Sequence, residues 1–295
     1  MNDLSSKNVL TSLSIDLALG HFDLLPEEIR TQLPPPLPPE KVVTVYGQAI
    51  HYYDAGSGPP VIFLHGLGGE AANWTANIGP ISRICHAYAL DQIGFGLSSK
   101  PFLEYRIATF VDFLRGFMQA LLIPRATLIG NSLGGWIAVE FAASRPEMVD
   151  KLILVSAGGL TPKVRAALPP IDFGRASIGG TRNVLELMFF NKHLITYEVA
   201  ARAFENHMRR GNGYARQRFL TGLVINNQFV DASLASLRSP ALLIWGRNDQ
   251  LTPLAVGERF EKGIAGAKLA VLNECGHVPQ IEKTLEFNDL VCSFL

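Results

Sequence analysis

Ser132 is the residue of this chain whose neighbours best suit it to act as a nucleophile. It lies in Gly130-Asn131-Ser132-Leu133-Gly134-Gly135, a G-x-S-x-G spacing that fits a sharp turn from strand to helix. The flanking glycines have a steric cause, because a residue held in so tight a turn needs packed neighbours without a Cβ. The helix start that follows offers unpaired N–H groups and a positive dipole end to a developing oxyanion. The spacing alone is a weak signal, and a tight βα turn with a capping serine is its bland alternative.

A serine hydroxyl is a poor nucleophile at neutral pH, so it needs a base within reach and a group that orients that base. Asp249, in Trp245-Gly246-Arg247-Asn248-Asp249, and His277, in Cys275-Gly276-His277-Val278, are the candidates. Taken singly, each reads as a turn or loop residue. Taken together with Ser132, they stand in the chain order Ser, Asp, His expected of an elbow-based triad. A second glycine-rich stretch, His65-Gly66-Leu67-Gly68-Gly69, lacks the Gly-Lys-Ser/Thr ending of a phosphate loop and has no G-x-G-x-x-G followed by an acid. Oxyanion binding through the Leu67 N–H fits it better.

These residues need strands to carry them, and the sequence supplies a series. Residues 126–130 form an apolar run of strand length, and 133–144 carry a helical pattern that stops at Pro146. The runs at 60–66, 86–91, 151–157 and 241–246, with a further strand in AKLAVLNE, resemble strands of a parallel sheet buried on both faces. Ser132, Asp249 and His277 each follow the carboxyl end of such a strand. Residues 42–56 read as an antiparallel hairpin around Gly47. Helices are expected over 73–84, 107–122, 254–264 and from Glu282 onward, and the stripe of Phe110, Phe113, Leu114, Phe117, Met118 and Leu121 is a core face.

The alternation of strand and helix stops between Gly158 and Leu237. Helical stretches at 181–190, 196–209 and 217–223 stand there instead, in a gap far beyond the roughly 2 to 6 residues of an ordinary αβ loop. The expected organisation is therefore an N-terminal extension and proline-rich linker at 1–40, an α/β core at 41–157 and 237–295, and an inserted helical cap at 158–236 over the sheet's carboxyl edge. Open α/β sheets bind ligands at that edge.

Within the extension, the spacing of Leu10, Leu13, Leu17, Phe22 and Leu24 predicts one side of a helix broken at Gly20, and LPPPLPPE at 33–40 reads as an extended spacer. Six acids against Lys7 and Arg30 give residues 1–40 the wrong sign for anionic lipid, so packing on the protein itself or on a partner is expected.

Lys plus Arg and Asp plus Glu both number 26 in the 295 residues, which leaves no electrostatic footprint for nucleic acid. An apolar fraction of 48% with 18% charged residues describes a globular chain with a large core. No apolar run approaches the roughly 20 residues of a membrane span. Cys85, Cys275 and Cys292 form neither a disulfide framework nor a metal spacing, which favours a reducing compartment and a cytoplasmic location.

The chain resembles α/β-hydrolase fold enzymes over about residues 41–295. The motifs that carry the resemblance are His65-Gly66, Asp91-Gln92-Ile93-Gly94-Phe95-Gly96, Gly130 to Gly135, Asp249 and Gly276-His277. Within that fold it is most similar to small cofactor-free serine hydrolases, including the meta-cleavage-product C–C hydrolases. The resemblance implies a mostly parallel sheet flanked by helices, with Ser132 as nucleophile, His277 as base and Asp249 as its orienting acid. It implies an oxyanion hole from the N–H groups of Leu67 and Leu133, and neither cofactor nor metal. Two positions depart from the C–C hydrolase pattern: Val278 follows His277 where tryptophan is typical, and Ala203 stands at the place of a carboxylate-binding arginine, with Arg202 one residue before it. A shift of one helical residue turns a side chain by about 100°.

Specificity must come from the insertion. Leu187, Met188, Phe189, Phe190, Phe204 and Met208 are its apolar candidates, and Lys192, Arg202, Arg209, Arg210, Arg216 and Arg218 make it basic. Phe189, Phe190, Arg202 and Val278 are the expected pocket residues. Asn131 and Trp136 are expected to pack and bond locally, and Cys275 to be a small core residue. The leading expectation is a carboxylesterase-like hydrolase that cleaves an ester of a small, partly apolar molecule through an acyl-enzyme, the chain acting alone or as a homodimer. C–C hydrolysis of a meta-cleavage-type dienoate acid comes second. A ligand receptor that retains the triad comes third.

Overall fold

The computed structural model describes residues 38–161, 177–226 and 228–295. The extension and the greater part of the proline-rich spacer lie outside the described residues.

One eight-stranded sheet organises the chain. Its strands are β1 (Lys41–Val45), β2 (Gln48–Gly56), β3 (Pro60–Leu64), β4 (His86–Leu90), β5 (Ala126–Asn131), β6 (Val149–Val155), β7 (Ala241–Gly246) and β8 (Lys268–Leu272). They lie side by side in the order β1-β2-β4-β3-β5-β6-β7-β8. The β1–β2 and β2–β4 pairs are antiparallel, and every pair from β4 to β8 is parallel.

The near-continuous apolar character of the central strands follows from burial on both faces. Ile62, Leu64, Leu128, Leu152, Leu154, Leu243 and Trp245 enter one core. Their alternates Val61, Phe63, Ile129, Ile153, Val155, Leu242 and Ile244 enter the other. Each such side chain contributes about 1.5–3 kcal/mol when fully buried, so the period of two fixes the register strongly.

Helices cover both faces: α1 (Thr75–Ile81), α2 (Ile107–Ala120), α3 (Leu133–Ser144) and, after the insertion, α7 (Leu254–Gly263), the single turn α8 (Pro279–Glu282) and α9 (Thr284–Phe294). The aromatic stripe of α2 packs inward, with Phe110, Leu114, Phe117 and Met118 all buried. Helix α3 is buried nearly all round, as the helix behind a central strand must be.

Between β6 and β7 the described residues contain no strand. They form α4 (Ile178–Met188), α5 (Tyr197–Met208) and α6 (Asn212–Asn226). Ser177 caps α4 by accepting the Gly180 N–H at 3.0 Å, and Thr196 caps α5 by accepting the Val199 N–H at 3.3 Å. Two of these helices begin earlier than their periodicity suggests. The Gly179-Gly180 pair hides the first turn of α4, while Gly211, at φ 93°, makes the turn from which α6 starts directly. Helix α6 docks on the core through Phe219, whose ring meets Phe110 and Trp136.

Candidate active site

Ser132 occupies the turn between β5 and α3 at φ 54° and ψ −114°, a backbone state that costs an ordinary residue roughly 1–3 kcal/mol. The surrounding glycines make it attainable. A Cβ at Gly130 would strike the backbone of Gly134, and one at Gly134 would strike the Leu64 carbonyl. A Cβ at Gly135 would lie 2.5 Å from that of Ala157. The elbow is thus packed on its own strand, on β3 and on the segment after β6.

His277 follows β8 and Asp249 follows β7. The Nδ1 of His277 lies 2.9 Å from Asp249 Oδ2, and both residues are buried. Asp249 Oδ1 accepts the N–H groups of Leu251 and Thr252, each at 2.9 Å, and Oδ2 also accepts the Thr252 hydroxyl at 2.8 Å. Burial alone would raise the Asp249 carboxyl, but the charge and hydrogen bond of His277 and the bonds from Thr252 outweigh it and hold the group below the usual carboxylate value. A charged Asp249 fixes the imidazole with its proton on Nδ1, which leaves Nε2 to accept one.

Asn131 ties these loops to the elbow. Its Nδ2 donates to the Val155 carbonyl and to the His277 carbonyl, each at 3.1 Å. The expectation of purely local bonding for Asn131 and Trp136 is therefore corrected: the His277 bond spans 146 residues, and Trp136 Nε1 donates to the Gln228 carbonyl 92 residues away. The Ser132 hydroxyl forms no hydrogen bond with a described residue, including His277. Such contacts are often long in unliganded enzymes and close in the substrate complex.

The glycine-rich loop after β3 lies against the elbow, for a Cβ built on Gly66 would sit 3.3 Å from Ser132 Cβ. His65 holds this loop. Its Nε2 accepts the Gln92 N–H at 3.0 Å, so the ring proton must be on Nδ1, which donates to the Gly66 carbonyl at 2.8 Å. Gln92 Nε2 returns a bond to the His65 carbonyl at 2.6 Å. Burial pushes the His65 imidazole down to about 4, so it stays neutral at physiological pH. The N–H groups of Leu67 and Leu133 donate to no described residue; Leu133 follows Ser132, and Leu67 follows Gly66 in the loop packed against it.

A cavity of about 200 Å³ lies beside the elbow, between the loops at 65–74 and 278–281 and helices α4, α5 and α6; Gly66, Leu67, Asn131 and Val278 line it, whereas Ser132 and His277 do not. Val184, Leu185, Met188, Phe189, Val199, Val278 and Ile281 line it on one side, with Arg202, Asn206, His207 and Arg216 among its polar residues. Phe189, Arg202 and Val278 thus reach the cavity. Phe190 does not: its N–H is bound by Glu282, and its ring is 40% exposed outside the lining. Met208 is likewise exposed.

The basic residues of the insertion have separate roles. Arg209 pairs with Glu70, Arg218 with Glu104, and Arg216 contacts His207. Asn206 Nδ2 donates to the Gly68 carbonyl at 3.1 Å, which seats α5 on the glycine-rich loop. The sequence reading missed Thr252 as a partner of Asp249, and it noted Gln92 and Asn131 without their bonds to His65 and His277. Only the adjacency of Asn131 to the elbow and of Thr252 to Asp249 offered a signal for them. Among the described residues no group of three or more His, Cys, Asp or Glu side chains is arranged to hold a metal ion. No described helix is long and apolar enough to cross a membrane.

A mostly parallel sheet, a strained serine between strand and helix, and an Asp–His pair at neighbouring strand ends define a hydrolase class. The chain belongs to the alpha/beta hydrolase fold family, whose model matches residues 59–284. Among individual proteins, it is 32% identical to the 2-hydroxymuconate semialdehyde hydrolase of Pseudomonas sp. over 84% of this chain and 91% of that one. It is 34% identical to the 2-hydroxy-6-oxo-6-phenylhexa-2,4-dienoate hydrolase of Comamonas testosteroni, over 83% and 91%. The solved meta-cleavage product hydrolase from Pseudomonas fluorescens superposes with a TM-score of 0.81 at 33% identity, covering 86% of this chain and 96% of that one. These likenesses overturn the expectation that placed carboxylic-ester cleavage ahead of C–C cleavage. Val278 and the offset of Arg202 had suggested that order, but they are two local departures against similarity over more than four-fifths of the chain.

Proposed function

We propose that the protein hydrolyses a carbon–carbon bond in a 2-hydroxy-6-oxo-dienoate, a meta-cleavage-type acid. The observation that carries this reading is the set of relatives at 30–34% identity, all named as hydrolases of such compounds or of 2-hydroxymuconate semialdehyde. The helices of 158–236 act as a cap over a core formed by 41–157 and 237–295. Three unpaired cysteines suit a reducing compartment, the cytoplasm.

The chemistry follows from the groups present. In its keto form the substrate is a vinylogous diketone, so the carbon departing from the 6-oxo centre leaves as a stabilised, delocalised carbanion. His277 Nε2 takes the Ser132 proton as Oγ attacks the 6-oxo carbon, and the N–H groups of Leu67 and Leu133 bond the tetrahedral oxygen. The C–C bond breaks, the departing carbon takes a proton, and water delivered with His277 as base releases the acid from Ser132. The net change is addition of one water across the bond. Asp249 keeps the imidazole in the tautomer that this sequence needs. The apolar wall of Val184, Leu185, Met188, Phe189, Val199 and Val278 receives the 6-substituent, and Arg202 the carboxylate.

The test is product analysis. The purified protein is mixed with 2-hydroxy-6-oxo-dienoates that carry hydrogen, methyl or phenyl at the 6-position, while loss of the conjugated chromophore and release of the matching acid are followed. One acid per substrate consumed supports the reading. Turnover of simple esters with no cleavage of any dienoate would overturn it.

A further inference from the structure

The carboxylate of Glu282 has no part in the proposed chemistry, yet it is buried, at 4% exposure, one turn after His277. Its Oε2 accepts the Gly276 N–H at 2.6 Å, and its Oε1 accepts the N–H groups of Phe190 at 2.8 Å and Asn191 at 3.0 Å. One side chain thus binds the residue before His277 on one side and the segment after α4 on the other. Met188 completes the joint from the opposite direction, because its carbonyl accepts the His277 N–H at 2.6 Å. Gly276 lets the two segments meet: a Cβ there would collide with the Met188 carbonyl and lie 2.9 Å from the Phe190 nitrogen.

A carboxylate suits this place better than any neutral side chain. Three N–H donors converge on it, and an ionised carboxyl is the acceptor-only group that can receive them all. Burial pushes the Glu282 carboxyl up, while the bonds from Asn191, Gly276 and Phe190 and the charge of Lys192 pull it back. The tethered segment is also a wall of the cavity beside the elbow, since Met188 and Phe189 line it.

From this joint we infer that Glu282 is a positioning residue that couples the cap to the base: it ties Met188–Asn191 to the loop of His277, so that what presses on the cavity wall sets the imidazole relative to Ser132. The inference rests on the reading of His277 as the base for Ser132. It does not rest on the identity of the substrate.

The experiment measures the second-order rate at which a fluorophosphonate labels Ser132. In that reaction the serine oxygen bonds to phosphorus as the P–F bond breaks, and His277 takes the hydroxyl proton. Glu282→Gln keeps the size of the side chain but sets an NH2 group against at least one N–H donor. Asn191→Pro removes one donor from the cap side and leaves Glu282 in place, and the Asn191 φ of −81° already suits proline; it also removes the Oδ1 that accepts the His193 N–H at 3.1 Å, a loss that Asn191→Ala reproduces alone and so serves as its reference. Both variants are assayed well below their melting temperatures, with circular dichroism confirming a folded chain.

Labelling is expected to slow on the order of 10- to 100-fold in each, the size of effect that a small misplacement of a catalytic group produces. A role in stability alone would lower the melting temperature and leave the labelling rate within about twofold of wild type, which would overturn the inference. Where Glu282→Gln does not fold, Asn191→Pro decides. Wild-type protein that labels but cleaves no dienoate defeats the C–C reading and leaves the tether to be judged on labelling.

Discussion

Asn131 donates its side-chain N–H to the carbonyl of His277 over 3.1 Å, and this bond joins the strand that ends at the elbow to the loop that carries the imidazole. The same amide holds the Val155 carbonyl at 3.1 Å. Asn131→Ala would strand the His277 carbonyl, at roughly 1–3 kcal/mol for an unsatisfied group, while the Val155 carbonyl keeps the Ser132 N–H at 3.0 Å. The expected outcome is a lower urea midpoint together with slower fluorophosphonate labelling. A loss of stability with an unchanged labelling rate would mean that the bond does not help to place His277.

The φ of 54° at Ser132 separates the cost of the elbow from the value of its hydroxyl. Glycine reaches this conformation without penalty, whereas alanine keeps the Cβ that strains it. Ser132→Gly is therefore expected to be about 1 kcal/mol or more stable than Ser132→Ala, with both inactive. Denaturant titration of the two variants checks this, and equal stabilities would contradict a strained elbow.

His65 makes a prediction about pH. Its imidazole is held down to about 4 by burial, against an ordinary value of 6.5. The unfolded chain therefore binds this proton over a range where the native protein does not. Stability from this group is complete above about pH 6.5 and falls as the pH drops toward 4, by on the order of 3 kcal/mol over the window. Urea unfolding between pH 4 and 7.5 should show a steeper pH dependence in wild type than in His65→Gln. Matching slopes would show that His65 titrates normally.

Arg202 lines the cavity beside Asn206 and His207. Arg202→Gln is expected to raise KM for a dienoate acid about tenfold or more, given the strength of a charge-assisted bond to carboxylate, while the labelling rate of Ser132 stays near wild type. An unchanged KM would assign the carboxylate to another partner.

The sheet was largely readable from the sequence because its strands are buried on both faces and their apolar runs are bounded by glycine-rich turns. The elbow was readable for the same kind of reason, since Gly130 and Gly134 are demanded by collisions with Gly134 and Leu64. Partners fixed by tertiary contact were hidden. Asn131 reaching His277, Gln92 fixing the ring of His65 and Glu282 binding Phe190 leave no periodicity in the chain. Phe190 misled because an apolar side chain beside Phe189 reads as a pocket residue, yet the tether to Glu282 leaves its ring exposed. The choice of reaction was misjudged from Val278 and Arg202, although two side chains cannot outweigh an architecture shared over most of the chain.

The central claim is that Ser132 drives the cleavage of a carbon–carbon bond. It is tested most directly by the turnover of 2-hydroxy-6-oxo-6-phenylhexa-2,4-dienoate by wild type and by Ser132→Ala, with the released benzoate measured. Wild type is expected to release benzoate at a rate on the order of 1 per second or faster, and the variant to fall by about three orders of magnitude or more while remaining folded. Benzoate release by Ser132→Ala at the wild-type rate, or none by either protein, would contradict it.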